Sequence, residues 1–162
     1  MDADACPVRE EALRVAERHD IEVVFVSNGG IRPIREPRVR VVIVSQGPDA
    51  ADDWIVERLK PNDIVVTTDV PLAHRAVTLG AAAIAPNGRL STPDSIGMAR
   101  AMRDLKQQLR EAGVIKGHNP AFSARDRAAF LQALDSLIQR AKRDSQQLAA
   151  PRSAQEARET EN

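Results

Sequence analysis

The stretch IVVTTDVPLAHRAVTLGAAAIA, residues 64–85, decides the fold. Residues 64–68 are apolar or β-branched and predict a short buried strand. Residues 71–79 predict a helix, because Pro71 suits a first helical position and Gly80 suits a helix stop. Residues 81–85 predict another short strand. A strand, a helix and a strand in this order predict a βαβ unit with parallel strands and a right-handed crossover.

The same alternation extends to both sides of this unit. Ahead of it, we predict a helix that begins after Pro7, strands over 21–26 and 38–45, and a helix over 50–59. Behind it, we predict long helices that start at Thr92 and Ser123 and reach about residues 112 and 142. Continuously apolar strands that alternate with helices are typical of a mostly parallel sheet covered on both faces.

These elements predict one α/β domain over residues 1–142, which ends in a two-helix C-terminal extension. Residues 143–162 are rich in Gln, Ser, Glu, Arg and Ala, and predict a disordered tail. The alternation also predicts a strand ahead of Asp2, whereas the sequence begins at Met1. We therefore expect the true translation start to lie upstream of this Met.

Composition narrows the classes of function. Lys and Arg together equal Asp and Glu at 23 each, so no net charge attracts the whole molecule to a polyanion or a membrane. Aromatic residues make up only 2%, which argues against a base-stacking surface for single-stranded nucleic acid. A single cysteine excludes an internal disulfide and suits the reducing cytoplasm. No apolar run approaches the length of a membrane span.

Acidic residues are placed where chemistry is expected in a parallel sheet. Asp69 follows a predicted strand, Asp2 and Asp4 would follow the strand predicted ahead of them, and Asp52 and Asp53 open a helix. Ligands of such sheets bind beyond the carboxyl ends of the strands. Carboxylates that converge there repel one another unless a hard cation lies among them. We predict a Mg²⁺ or Mn²⁺ site, with Asp2, Asp4, Asp52 and Asp69 catalytic and Asp53 as a further ligand.

Neighbouring polar residues suit a phosphate-containing substrate. Thr67 and Thr68 precede Asp69 and can hydrogen-bond either this carboxylate or a phosphate. Arg75 lies on the following helix, and Arg32 and Arg35 lie in a loop that is rich in Arg and Pro. We predict that these five residues bind substrate, with RNA as the possible partner. The alternative is that the loop is simply solvated.

Each acidic residue also has a structural interpretation. An Asp at a helix start is often only an N-cap, which applies to Asp52, Asp53 and Asp69. Cys6 lies beside carboxylates that would raise the pKa of its thiol, so we interpret it as a small packing residue. The three histidines do not have zinc-ligand spacing.

Four ordered motifs resemble the YaiI/YqxD family of uncharacterised bacterial proteins. They are DADACP (2–7), DAADDWI (49–55), VTTDVPLA (66–73) and FSARDRAAF (122–130). The resemblance covers residues 1 to about 142. That family in turn resembles PIN-like nuclease domains, which implies a PIN-like three-layer fold and carboxylate-bound Mg²⁺ or Mn²⁺. Asp2 or Asp4, Asp52 and Asp69 match the three acidic positions of such domains.

The resemblance implies a metal-dependent nuclease that hydrolyses phosphodiesters, with RNA as the expected substrate. Two alternatives stay open. Asp-x-Asp after a first strand also marks haloacid-dehalogenase-like phosphatases, in which the first Asp, here Asp2, is the nucleophile. The other alternative is a non-catalytic domain that binds RNA or a protein through its arginines.

Overall fold

The computed structural model of this protein describes residues 1, 3, 6–31, 34–45, 47, 49–113 and 121–149. Within these residues the chain is mixed α/β, as the alternation predicts. In chain order the elements are α1 (Arg9–His19), β1 (Val23–Ser27), β2 (Val39–Ile43), α2 (Ala50–Arg58), β3 (Ile64–Val66), α3 (Val70–Thr78), β4 (Ala82–Ile84), β5 (Leu90–Ser91), α4 (Pro93–Glu111) and α5 (Ala124–Ala149).

Among the residues that the structure describes, the strands form two small sheets. β1 pairs in parallel with β2, in a register that places Val23 opposite Val39. β3 pairs in parallel with β4, which confirms the predicted βαβ unit, and β5 lies antiparallel to β4. The sequence did not predict β5, because two residues are too few to show the alternation of a strand.

Two apolar cores position the helices around the strands. One core joins Val26 of β1 and Val65 of β3 to α2 and α3, chiefly through Ile55 and Leu72. The other joins α1 and α5 to β3 and β4, and Phe130 of α5 is fully buried in it. Since successive side chains of a strand point to opposite faces, Val65 belongs to the first core and Val66 to the second.

The first residues of the chain lie along the edge of β1 that faces away from β2. The Met1 nitrogen donates a hydrogen bond to the Val24 carbonyl at 2.8 Å, and the Val26 amide donates to the Met1 carbonyl at 3.0 Å. The Ala3 amide then donates to the Val26 carbonyl at 3.0 Å. These alternating bonds are those of a parallel ladder.

Side-chain pairs fasten α5 to α1. His19 Nε2 lies 2.7 Å from Asp135 Oδ1, and this hydrogen bond is the main reason why the pKa of Asp135 is lowered. Arg127 reaches Glu11 at the other end of the same helix pair. α5 continues to Ala149, past the predicted boundary at residue 142, whereas residues 150–162 lie outside the described part of the chain.

Candidate functional site

Asp69 lies in the short link between β3 and α3, and local hydrogen bonds fix its side chain. Its carboxylate Oδ1 accepts a hydrogen bond from the Leu72 amide at 2.7 Å, so Asp69 is the N-cap of α3. The Asp69 amide donates to Thr67 Oγ1 at 3.0 Å, and Thr67 is itself buried. The cap uses one of the two carboxylate oxygens. Asp69 therefore has a structural role, whether or not Oδ2 also binds a ligand.

Asp52 and Asp53 both lie in the first turn of α2, but their surroundings differ. Asp52 is partly buried, whereas Asp53 is exposed. Asp53 Oδ1 forms an ion pair with Arg75 Nη1 at 2.8 Å. Because Arg75 lies on α3, this pair links the first turn of α2 to the helix that Asp69 caps. Asp52 and Asp69 thus lie at the N-terminal ends of two helices that pack in the same core.

The structure describes only some of the other residues that the sequence predicts for the site. Asp2, Asp4 and Arg32 lie outside the described residues, so their predicted roles stay predictions. Thr68 and Arg35 are exposed, and their predicted role in binding substrate stays a prediction. Arg75, predicted to bind phosphate, is engaged by Asp53 in this structure. Asp49, and not Asp52 or Asp53, occupies the N-cap position of α2, with a left-handed φ of 65°.

The metal site predicted from the sequence needs ligands that the described residues do not supply together. No group of three or more His, Cys, Asp or Glu side chains is arranged to hold a metal ion among the residues that the structure describes. Asp52 and Asp69 would need a further ligand from Asp2 or Asp4. The predicted Mg²⁺ or Mn²⁺ site therefore stays a prediction.

The sequence predicts only a turn for the polar residues at the end of β1. Ser27 is fully buried, and its hydroxyl both donates to the Gly29 carbonyl at 3.1 Å and accepts from the Gly29 amide at 3.0 Å. Asn28 Nδ2 donates to the Gly47 carbonyl at 3.2 Å, which links this turn to the one after β2. The signal in the sequence is a Ser-Asn pair directly after an apolar run. These residues shape the carboxyl edge of β1 and β2.

The cap at Asp69 leads to a stability prediction. Asp69→Ala should lower the free energy of unfolding by about 1 kcal/mol, because the Leu72 amide loses its partner. Asp69→Asn should retain most of that stability, since asparagine caps helices about as well as aspartate. Urea denaturation of the three proteins measures both differences. Equal losses in the two variants would contradict a role for the cap.

Comparison with protein-family models identifies the family to which the chain is similar. A family model whose description reads "Uncharacterized BCR, YaiI/YqxD family" matches residues 1–140. The chain belongs to the YaiI/YqxD family. This confirms the resemblance that the four motifs carry.

Many YaiI/YqxD relatives bear the name UPF0178 protein. The chain is 60% identical over 141 residues to UPF0178 protein mlr0875 of Mesorhizobium japonicum, an alignment that covers 87% of this chain and 91% of the relative. It is 61% identical over 143 residues to UPF0178 protein R01393 of Rhizobium meliloti, which covers 88% and 98%. It is 60% identical over 143 residues to UPF0178 protein Atu1478 of Agrobacterium fabrum, which covers 88% and 94%.

The names of these relatives state no activity, so membership of the YaiI/YqxD family does not by itself give a function. No solved structure matches the chain. In the described part of the chain, none of the helices has the length and apolar character that crossing a membrane requires.

Proposed function

We propose that this YaiI/YqxD protein is a PIN-like nuclease domain that hydrolyses RNA with Mg²⁺ or Mn²⁺. The observation that supports the proposal is the buried core in which Ile55 of α2 and Leu72 of α3 pack together. It keeps the helix that carries Asp52 packed against the helix that Asp69 caps. Asp2 and Asp4 would complete the set of carboxylates.

The donor chemistry of this set fits a hard cation. Every candidate ligand is a carboxylate, and Mg²⁺ and Mn²⁺ prefer oxygen ligands in proteins. Asp69 uses Oδ1 to cap α3, so Oδ2 is the oxygen that would bind the ion. Asp52 and either Asp2 or Asp4 would supply the others. When bound, such an ion neutralises phosphate charge and lowers the pKa of a coordinated water.

The protein's own residues have positioning roles in this proposal. The buried Thr67 hydroxyl fixes the backbone at Asp69, and the capping bond from Leu72 limits the rotation of its carboxylate. Arg75 can leave Asp53 for a phosphate, because both partners of this ion pair are substantially exposed and such pairs contribute little to stability. Thr68, Arg32 and Arg35 would contact the RNA backbone.

The test is cleavage of single-stranded and of structured RNA by the purified protein in Mn²⁺. We expect cleavage that EDTA abolishes and that Asp69→Asn reduces at least tenfold, a loss of about 1.4 kcal/mol in transition-state stabilisation. This substitution is informative because asparagine keeps the cap of α3 and removes only the negative charge.

Asp126→Asn is the matched control for this experiment. Asp126 also lies in the first turn of a helix, where bonds from Ser123 hold its pKa below the usual value. The control should cleave at the wild-type rate. Cleavage that is equal in wild type and Asp69→Asn would assign the activity to a contaminant and reject the proposal.

A second candidate is a non-catalytic domain that binds RNA or a protein. The observation that favours it is that Asp69 and Asp53 already have structural partners, namely the Leu72 amide and the Arg75 guanidinium. Calorimetric titration with RNA in EDTA distinguishes the two candidates. A binder takes up RNA without metal and without turnover, whereas the proposed nuclease requires the metal for cleavage.

A further inference from the structure

The chain enters α1 without a side-chain cap of its own. Val8 occupies the N-cap position, and a valine side chain has no oxygen to accept a hydrogen bond from the amides of the first turn. Val8 is instead fully buried, in the core that α1 shares with α5. The path by which the chain enters this helix therefore depends on tertiary contacts.

One of these contacts holds the Pro7 carbonyl, directly ahead of Val8. Arg127 Nη1 of α5 donates to this carbonyl at 2.9 Å and to Glu11 Oε1 at 2.9 Å. Both bonds leave the same nitrogen, so the guanidinium fastens the approach to α1 and the first turn of α1 to α5. Pro7 ends the DADACP motif (2–7) and Arg127 lies in the FSARDRAAF motif (122–130), so the first and the last of the four family motifs meet at this point.

The start of α5 holds Arg127 in place. The Ser123 amide donates to Asp126 Oδ2 at 2.8 Å, and the Asp126 amide donates to Ser123 Oγ at 3.2 Å, which closes the first turn of the helix. The Arg127 guanidinium also lies 5.0 Å from the centre of the Phe122 ring. Since a ring, a carboxylate and a carbonyl all hold it, this guanidinium is an anchor for Pro7, although 46% of the side chain is exposed.

Two anchors thus bracket Asp4 along the sequence. Ahead of it, the Ala3 amide donates to the Val26 carbonyl at 3.0 Å, in the ladder along β1. After it, the Pro7 carbonyl accepts from Arg127. The three residues from Asp4 to Pro7 span at most about 11 Å, so the second anchor is close to this carboxylate along the chain. Arg127 is itself a cation without an acceptor atom, so it can influence a metal only through the backbone.

We propose that Arg127 is a positioning residue of the metal site, which fixes the chain after Asp4 so that this carboxylate can join Asp52 and Asp69 at the ion. This inference rests on the proposed function. Without the anchor at Pro7, binding of the ion has to order this part of the chain. Ordering the backbone of a single residue weakens binding by roughly a factor of ten.

The test measures binding of Mn²⁺ without RNA, from the electron paramagnetic resonance signal of the free ion. The matched pair is Glu11→Gln and the double variant Glu11→Gln/Arg127→Met. Neither carries an unpaired buried carboxylate, so both should fold, and they differ in the bond to Pro7. We expect Glu11→Gln to bind Mn²⁺ as the wild type does, and the double variant to bind it at least tenfold more weakly. Loss of a positive charge would by itself favour a cation, so weaker binding reports the position of the carboxylate and not the charge of Arg127.

The substitution Asp4→Asn shows which carboxylate Arg127 acts on. In this background, the two variants of the matched pair should bind Mn²⁺ equally or not at all, because the carboxylate that Arg127 positions is gone. A tenfold difference that persists without Asp4 would overturn the inference.

Failure of this inference differs from failure of the proposed function. If Asp69→Asn weakens Mn²⁺ binding while the matched pair binds equally, the metal site is retained and Arg127 has no part in it. If the wild type binds no Mn²⁺, both proposals are rejected. A double variant that fails to fold would make Arg127 a residue of the fold alone, and would also overturn the inference.

Discussion

Gly88→Ala should lower the free energy of unfolding by about 3 kcal/mol, through a steric clash and backbone strain together. Gly88 lies in the turn between β4 and β5, where its amide donates to the Ala85 carbonyl at 2.9 Å. Its φ is +83°, which alanine rarely adopts. A Cβ at this position would lie 2.6 Å from the Ala129 carbonyl carbon and 2.9 Å from the Phe130 nitrogen. These atoms belong to the backbone of α5, so relief requires the helix to move away from the strands.

The consequence of that movement is large because Phe130 is the fully buried anchor of α5 in the core that it shares with α1. Interiors are packed as densely as organic crystals, so a helix displaced by a few tenths of an ångström loses contacts along its whole face. The measurement is equilibrium denaturation in urea, read as a change in midpoint at constant m-value.

Gly80→Ala is the matched control. Gly80 has nearly the same φ, +82°, but the atom nearest to a Cβ added there would be Cβ of Pro61 at 3.7 Å, an ordinary contact. This variant has only the conformational cost of a left-handed alanine, about 1 to 2 kcal/mol. Equal losses in the two variants would show that the turn yields readily and that α5 is not held rigidly against it.

Local periodicity explains why so much of the fold could be predicted. The βαβ unit over residues 64–85 is specified by an apolar run, a proline and a glycine that are all close in sequence. The structure places β3 at Ile64–Val66, α3 at Val70–Thr78 and β4 at Ala82–Ile84, within a few residues of the prediction. The predicted cap at Thr92 is confirmed by its reciprocal hydrogen bonds with Ser95.

Contacts between distant residues explain what the sequence did not reveal. The close approach of Gly88 to Ala129 joins a turn to a helix far along the chain, and an isolated glycine gives no sign of it. The pairing of Asp53 with Arg75 is of the same kind. The sequence predicts that Asp53 binds the metal and Arg75 the substrate, whereas in the structure the two side chains form an ion pair with each other. The sequence does predict the N-cap as a structural alternative to a metal-binding role for Asp69, because the cap depends only on the next three residues.

Arg127→Ala should also lower the free energy of unfolding by about 3 kcal/mol at neutral pH, the lower end of the range for breaking a buried ion pair. Glu11 is a buried carboxylate on α1, with 6% of its surface exposed. Arg127 of α5 donates to Glu11 Oε1 at 2.9 Å and to the Pro7 carbonyl at 2.9 Å. Among the described residues, Glu11 Oε2 has no hydrogen-bond partner, so the charge depends heavily on Arg127. The lower end of the range applies because the arginine side chain is itself 46% exposed.

Arg125→Ala is the control for this helix. Arg125 is exposed and lies two residues before Arg127, so its loss should change stability by less than about 0.5 kcal/mol. A comparable loss in the two variants would mean that α5 responds to total charge and not to the pair with Glu11.

The dependence on pH gives a second and independent test of the pair. Burial raises the pKa of Glu11. The hydrogen bond from Arg127, a backbone hydrogen bond at Glu11 and the charges of Arg127 and Arg14 together outweigh burial, and the pKa is lowered from the ordinary value of 4.5. A lowered pKa contributes stability that is fully present above the unfolded value and is lost as the pH falls through the folded one. In Arg127→Ala, burial is opposed only by the backbone hydrogen bond at Glu11 and the charge of Arg14, so the pKa of Glu11 should rise above its wild-type value. Protonation of Glu11 stabilises the variant, because it removes a buried unpaired charge. Protonation of Glu11 destabilises the wild type, because it removes the ion pair with Arg127. The difference in unfolding free energy should therefore be largest near pH 7. It should shrink as the pH falls through the pKa of Glu11 in the variant, and shrink further below pH 4.5, where the wild type loses the pair. A difference that stays constant from pH 7 to pH 3 would assign the loss to the contact of Arg127 with the Phe122 ring and the Pro7 carbonyl, which do not titrate.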